Sequence, residues 1–133
     1  MKKVFLSLSL ALISTAAAAE WTRIGESERK GGSALYADTA SIRKAAGRAK
    51  MAILFDYPVL QKTAGAEFLS EKIRREYDCQ EKQIRTLAYS LFSLNMEHGD
   101  LVRSYNQPQK WEIVIPDSLE EAEWKVACTE PTQ

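Results

Sequence analysis

Apolar and polar residues alternate along much of this chain with a period of two. The clearest stretch is "KMAILFDYP" (50–58), in which Met51, Ile53, Phe55 and Tyr57 fall on one face, because successive strand side chains point to opposite sides. Pro58, lacking an N–H, is expected to stop this strand. In "LSEKIRREYDC" (69–79), Ile73, Tyr77 and Cys79 share a face with Arg75 among them. Lys72, Arg74, Glu76 and Asp78 take the other, solvated face. The segment "IRTLAYSLFSL" (84–94) is apolar or small on both faces, which predicts a central strand. Shorter strands are predicted at "EWTRIGE" (20–26), "ALYAD" (34–38) and "LVRSY" (101–105). Between them, "RKGGS" is a turn whose Gly31 and Gly32 are free to take positive φ. "DTASIRKAAGR" (38–48) predicts a helical turn capped by Asp38 and closed by Gly47, "VLQKTAGAE" (59–67) a loop, and "NMEHGD" (95–100) a turn. Connections this short favour an antiparallel meander.

The pattern changes at "PDSLEEAEWKVACTE" (116–130). Ser118-x-x-Glu121 is a capping-box signal, and Glu120 and Glu121 stand where a helix dipole favours negative charge. Leu119, Ala122 and Val126 line one stripe, and a wider contact face includes Trp124 and Ala127. A helix of about ten residues does not persist alone in water, so it must be held by the rest of the protein. The fold class expected is α+β: about six antiparallel strands with a C-terminal helix packed on one face.

The start "MKKVFLSLSLALISTAAAAEW" pairs a basic n-region with a short apolar stretch and small residues at 17 and 19, the form of a secretory signal peptide cut after Ala19. Residues 20–133 are then one exported domain, periplasmic or secreted, with no apolar run long enough to span a membrane. No cysteine stands at the cleavage site, so a lipid anchor there is not expected. The whole chain has 18 basic and 18 acidic residues; without Lys2 and Lys3 the domain is slightly acidic, which argues against nucleic-acid binding. Cys79 and Cys128 both survive cleavage. An even cysteine count in an exported chain favours a disulfide between them over a metal site or free thiols, since two thiols and the single His98 make an incomplete tetrahedral set. The bond would staple the terminal helix to the sheet.

Candidate chemistry is sparse. One histidine, in a turn, offers no nucleophile–base pair, so no catalytic residue, metal or resident cofactor is expected; His98 as a haem ligand is the alternative. The basic residues Lys72, Arg74, Arg75, Lys82 and Arg85 flank Cys79. They form either a solvated face paired to Glu71, Glu76 and Glu81 or a surface that steers a protein partner. Trp21, Trp111 and Trp124 are expected in the core or at the docked helix.

Taken in order, Trp21 with Ile24-Gly25, Tyr36-x-Asp38-x-x-Ser41-Ile42, Asp56-Tyr57, Tyr77-Asp78-Cys79 with Arg85, Trp111, Pro116, Ser118 and Ala127-Cys128 make the chain similar to the bacterial surface-adhesin protein E family. The resemblance implies a six-stranded antiparallel sheet with a disulfide-bonded C-terminal helix. It also implies a cell-adhesion role in a Gram-negative bacterium, with protein partners such as the host matrix proteins vitronectin and laminin. Haem binding has been ascribed to the family. The better-known members are outer-membrane lipoproteins, and this chain differs in the missing anchor cysteine. The expectation is an exported, non-catalytic binding domain for host matrix or envelope proteins; the alternative is a periplasmic haem or small-ligand binder.

Overall fold

The computed structural model describes residues 19–129; the predicted signal peptide falls, but for Ala19, outside these residues. The strands are β1 (Thr22–Ser27), β2 (Ser33–Ala45), β3 (Arg48–Thr63), β4 (Ala66–Asp78), β5 (Gln83–Phe92), β6 (Leu101–Tyr105) and β7 (Glu112–Ile113), followed by helix α1 (Leu119–Thr129). All pairings are antiparallel, and β1 to β6 lie side by side in chain order, as the short connections predict. The seventh strand, β7, was not evident in the sequence; it adds beside the lower half of β5. β5 is thus paired on both sides, which fits its two apolar faces.

Two local signals are overruled by pairing. Residues 38–48 form no helical turn, because β2 continues to Ala45 through an irregularity between Asp38 and Arg43. There the Ser41 hydroxyl donates to the Asp38 carbonyl (2.6 Å) and accepts from the Ala52 N–H (2.9 Å), stitching the irregular segment to β3. Ile42 enters the core at this point, so the ladder and apolar burial outweigh a capping preference. Nor does Pro58 end β3. It falls where residues 57–60 oppose the single residue 69 of β4, a bulge with no ladder bond for its missing N–H to break. The expected loop 59–67 is instead the tip of a long hairpin turning through Ala64-Gly65, both at positive φ, the arrangement of a two-residue type I′ turn.

The main core lies between one sheet face and α1. Leu35, Ile53, Ile73, Tyr77 and Ile84 meet Ala127 there, with Leu119, Trp124, Val126 and both cysteines packed at the margin. Burying each large aliphatic is worth about 1.5–3 kcal/mol. Gly25 in β1 is needed for the fit, because a β-carbon there would lie 2.8 Å from Leu119 Cδ2. The opposite sheet face carries the 93–100 turn. Buried Ser70 donates to the Leu94 carbonyl (2.6 Å) and accepts from Glu97 N–H (3.0 Å), and Asp56 accepts from Met96 N–H (2.8 Å).

Cys79, just past the end of β4, is bonded to Cys128 in the last turn of α1, with Cα atoms 5.7 Å apart. The linked residues are 49 apart in sequence. Closing a loop of that length is worth about 4 kcal/mol in the chain-entropy account. Replacing both cysteines by alanine is therefore expected to lower unfolding stability by roughly 2–4 kcal/mol. Hydrogen exchange should accelerate first in 119–129; a uniform loss of protection across sheet and helix would contradict this order.

Candidate functional site

The helix is docked by polar contacts as much as by apolar ones. Its N-terminus keeps the capping signal: Ser118 Oγ accepts from Glu121 N–H at 3.1 Å, and Glu121 in turn accepts from the Asp117 N–H. Trp124 donates from its indole N–H to the Asp78 carbonyl (2.9 Å), and Lys44 donates to the Cys128 carbonyl (3.3 Å), where the helix dipole favours a cation. Glu123 is fully buried on the inner face. It accepts from the Tyr77 hydroxyl (2.9 Å) and lies 3.2 Å from Arg75 Nε. Burial pushes Glu123 up to about 7, against the lowering pull of Arg75 and the Tyr77 hydrogen bond, and burial first, then Glu123, raises the Tyr77 hydroxyl well above its ordinary range.

The basic residues flanking Cys79 are not gathered into one patch. Arg75 lies under the helix. Lys82 reaches Glu121 (2.7 Å) and sits 5.3 Å from the Trp124 ring centre. Arg85 pairs with Glu76 (2.6 Å), its guanidinium 4.6 Å from the Trp111 ring centre, with Arg48 5.0 Å from the same ring. Lys72 meets Glu97 across the 93–100 turn (3.2 Å), and Arg74 is exposed. Glu76, assigned by alternation to the solvated face, is instead buried, because Arg85 lies across it and shields it from water. The three tryptophans are each half-buried: Trp124 docks the helix, whereas Trp111 lies between two arginines. His98 is exposed in its turn, as the sequence predicts.

A cavity of about 480 Å³ opens between the start of α1, the tight turn Arg29–Gly31 and the strands β3 and β4. Its walls include Lys30, Phe55, Tyr57, Glu71, Ile73 and Arg75. Glu71, Ile73, Arg75 and Tyr77 follow one another at the strand period, so this row of β4 carries two charged residues on its inner face. The Tyr57 hydroxyl reaches Glu71 at 3.4 Å, and Lys30 stands 5.9 Å from the Tyr57 ring centre. Burial raises Glu71 above the ordinary carboxylate range, with Lys30 and Arg75 drawing it back, and burial followed by the Glu71 charge pushes the Tyr57 hydroxyl far up. Sequence reasoning placed Arg75 on the inner face but missed Glu71 and Glu123. The available signals were the two-residue phase of Glu71 with Ile73 and the four-residue spacing Leu119, Glu123, Ala127.

A second distinctive surface is the far sheet edge. Along β6, β7 and the segment after them, Leu101, Val102, Tyr105, Ile113 and Ile115 are exposed, Ile113 at 76% and Ile115 at 67%. Among the described residues no strand pairs with the outer side of β6 or β7.

The raised Glu123 gives a pH dependence of stability. The folded protein holds more protons than the unfolded chain between the ordinary glutamate value, 4.5, and about 7, so stability falls as pH rises through that window. Glu71 adds to the same trend. Glu121 acts oppositely but lower: held down to about 2, chiefly by the Lys82 hydrogen bond, it contributes stability that is lost only as pH falls from 4.5 towards 2. Unfolding free energies from urea titrations should be higher at pH 5 than at pH 8 in the wild type by on the order of 2 kcal/mol, and Glu123→Gln should remove most of that difference. An unchanged difference in the variant would show that Glu123 is not the titrating group.

A family model described as surface-adhesin protein E matches residues 21–129. No curated protein sequence matches the chain. Among solved structures, crystal form II of Haemophilus influenzae protein E is similar at 11% identity and a TM-score of 0.54, over 71% of this chain and 79% of that one. Protein E from non-typeable Haemophilus influenzae is similar at 11% identity and a TM-score of 0.53, over 85% and 79%. At that identity the likeness concerns the fold: an antiparallel sheet with its C-terminal helix bound across one face. With a family match covering β1 through α1, the chain belongs to the surface-adhesin protein E family.

Proposed function

We propose that this domain is an exported, non-catalytic protein-binding module, with a host matrix protein such as vitronectin or laminin, or a protein of the bacterial envelope, as its partner. The observation that carries the reading is the β6–β7 edge. An open edge offers backbone N–H and C=O groups to a strand of a partner, and the exposed apolar side chains along it supply the contact area that such an addition buries. Membership of an adhesin family supports a binding role, and the disulfide leaves neither cysteine as a nucleophile. The basic residues Lys72, Arg74, Lys82 and Arg85 add at most a steering field, since three of the four already have carboxylate partners.

A second reading, haem binding, is favoured by one feature. Met96 and His98, both side-chain types that ligate haem iron, line an open cleft together with Trp21 and Lys72. Asp38 and Glu97 in the same walls would repel the haem propionates, so protein binding stands first. Haemin titration with optical detection separates the two: a Soret shift that disappears in His98→Ala would favour haem.

For protein binding, the wild-type protein at micromolar concentration should be retained on immobilised matrix proteins or on envelope extract. Ile113→Lys combined with Ile115→Lys should weaken that retention by roughly tenfold or more, with an unchanged unfolding midpoint because both side chains are already exposed. Absence of retention, or equal retention by the double variant, would sink the edge as the binding surface.

A further inference from the structure

The cavity beside the start of α1 is the place where the fold tolerates charge on its inner sheet face. Arg75 is only 13% exposed, and its one charge contact at ion-pair distance is Glu123 through Nε. Among the described residues none of its guanidinium nitrogens donates a hydrogen bond to the protein. A guanidinium carries five donors in a planar fork, and desolvating one without acceptors is costly. Arg75 is one of the residues lining the cavity.

The opposite wall is built to bring further positive charge to the same space. Lys30 and Gly31 stand at positive φ (56° and 78°), and a β-carbon on Gly31 would lie 2.8 Å from Val59 Cγ2, so the turn packs tightly on β3. Gln61 donates to the Lys30 carbonyl at 3.0 Å and fixes the turn there. Arg29 and Lys30 line the same cavity as Arg75, with Lys30 Nζ 5.9 Å from the Tyr57 ring centre. Glu71 and Glu120 also line it and oppose this positive charge, Glu71 being partly engaged as the acceptor of the Tyr57 hydroxyl at 3.4 Å. Between the charged ends lie Phe55, Ile73 and Leu119. The volume, about 480 Å³, is in the range of small-molecule sites.

We propose that this cavity binds a small organic acid with an apolar body, its carboxylate held by Arg75 and Lys30 and its body against Phe55, Ile73 and Leu119. The fork of Arg75 matches a carboxylate in geometry and charge, and the apolar middle wall rejects a fully hydrated inorganic anion. The site lies on the helix side of the sheet, and none of its lining residues belongs to β6 or β7.

Calorimetry and amide chemical-shift mapping with 3-phenylpropionate, its neutral amide and 3-phenylpropylammonium test the assignment. The acid should bind with a dissociation constant below about 1 mM, at least roughly tenfold tighter than the amide or the amine, with shifts centred on Ile73, Arg75 and Leu119. Lys30→Asn, which tolerates the left-handed backbone at this exposed position, should weaken the acid by roughly threefold to tenfold. Glu71→Gln should tighten it, since the competing negative charge is removed; a merely structural role for Glu71 predicts no gain. Absence of saturable binding of the acid, equal affinity for the amide, preference for the amine, or weaker binding in Glu71→Gln would each overturn the proposal.

Discussion

An eleven-residue helix cannot hold itself together in water, and most of the main core depends on this one staying where it is. Its docking is what the rest of the structure turns on. Apolar contact alone would leave α1 free to slide, because Leu119, Val126 and Ala127 are a thin stripe. The polar contacts fix its register: Trp124 to the Asp78 carbonyl, Tyr77 to Glu123, Lys82 to Glu121 and the bond between Cys79 and Cys128. Each joins the helix to β4 or to the turn that follows it, so a shift by one helical turn would break them together.

Placing Glu123 beneath the helix has a cost. A carboxylate without water is stabilised there by one hydroxyl and one guanidinium, and its second oxygen has no hydrogen-bond partner among the described residues. Replacing such a buried pair with apolar residues often stabilises a protein. What the pair does here is position Arg75. Without Glu123 the guanidinium would have no ion-pair partner under the helix; with it, Arg75 is held among the residues that line the cavity. The helix dock and the candidate ligand site are thus parts of one arrangement, with β4 as the shared element.

The two candidate surfaces differ in kind. The β6–β7 edge carries exposed apolar side chains and, among the described residues, has no strand paired to its outer side, suited to another polypeptide. The cavity is small, charged at its ends and apolar in its middle, suited to a small molecule. Neither uses sulfur chemistry, because both cysteines are committed to the staple.

The alternating pattern by itself determined the α+β class, the meander, the inward face of β3 and the terminal helix. Those features rest on local periodicity and short connections, which every strand or turn carries in its own residues. The two cysteines and the export signal favoured the staple, since two thiols allow a single intramolecular pairing. Tertiary structure alone decided where local signals lose. Asp38 to Arg48 has a capping residue and a closing glycine, yet pairing with β3 draws it into a strand; Pro58 reads as a stop, yet a bulge admits it. It also decided the site. Glu71 and Arg75 stand four residues apart on one strand, but Lys30 comes from a distant turn and Glu123 from the far end of the chain. Whether a charge on an inner face is an error or a site depends on what folds over it, and that is set by contacts between segments that no local pattern encodes.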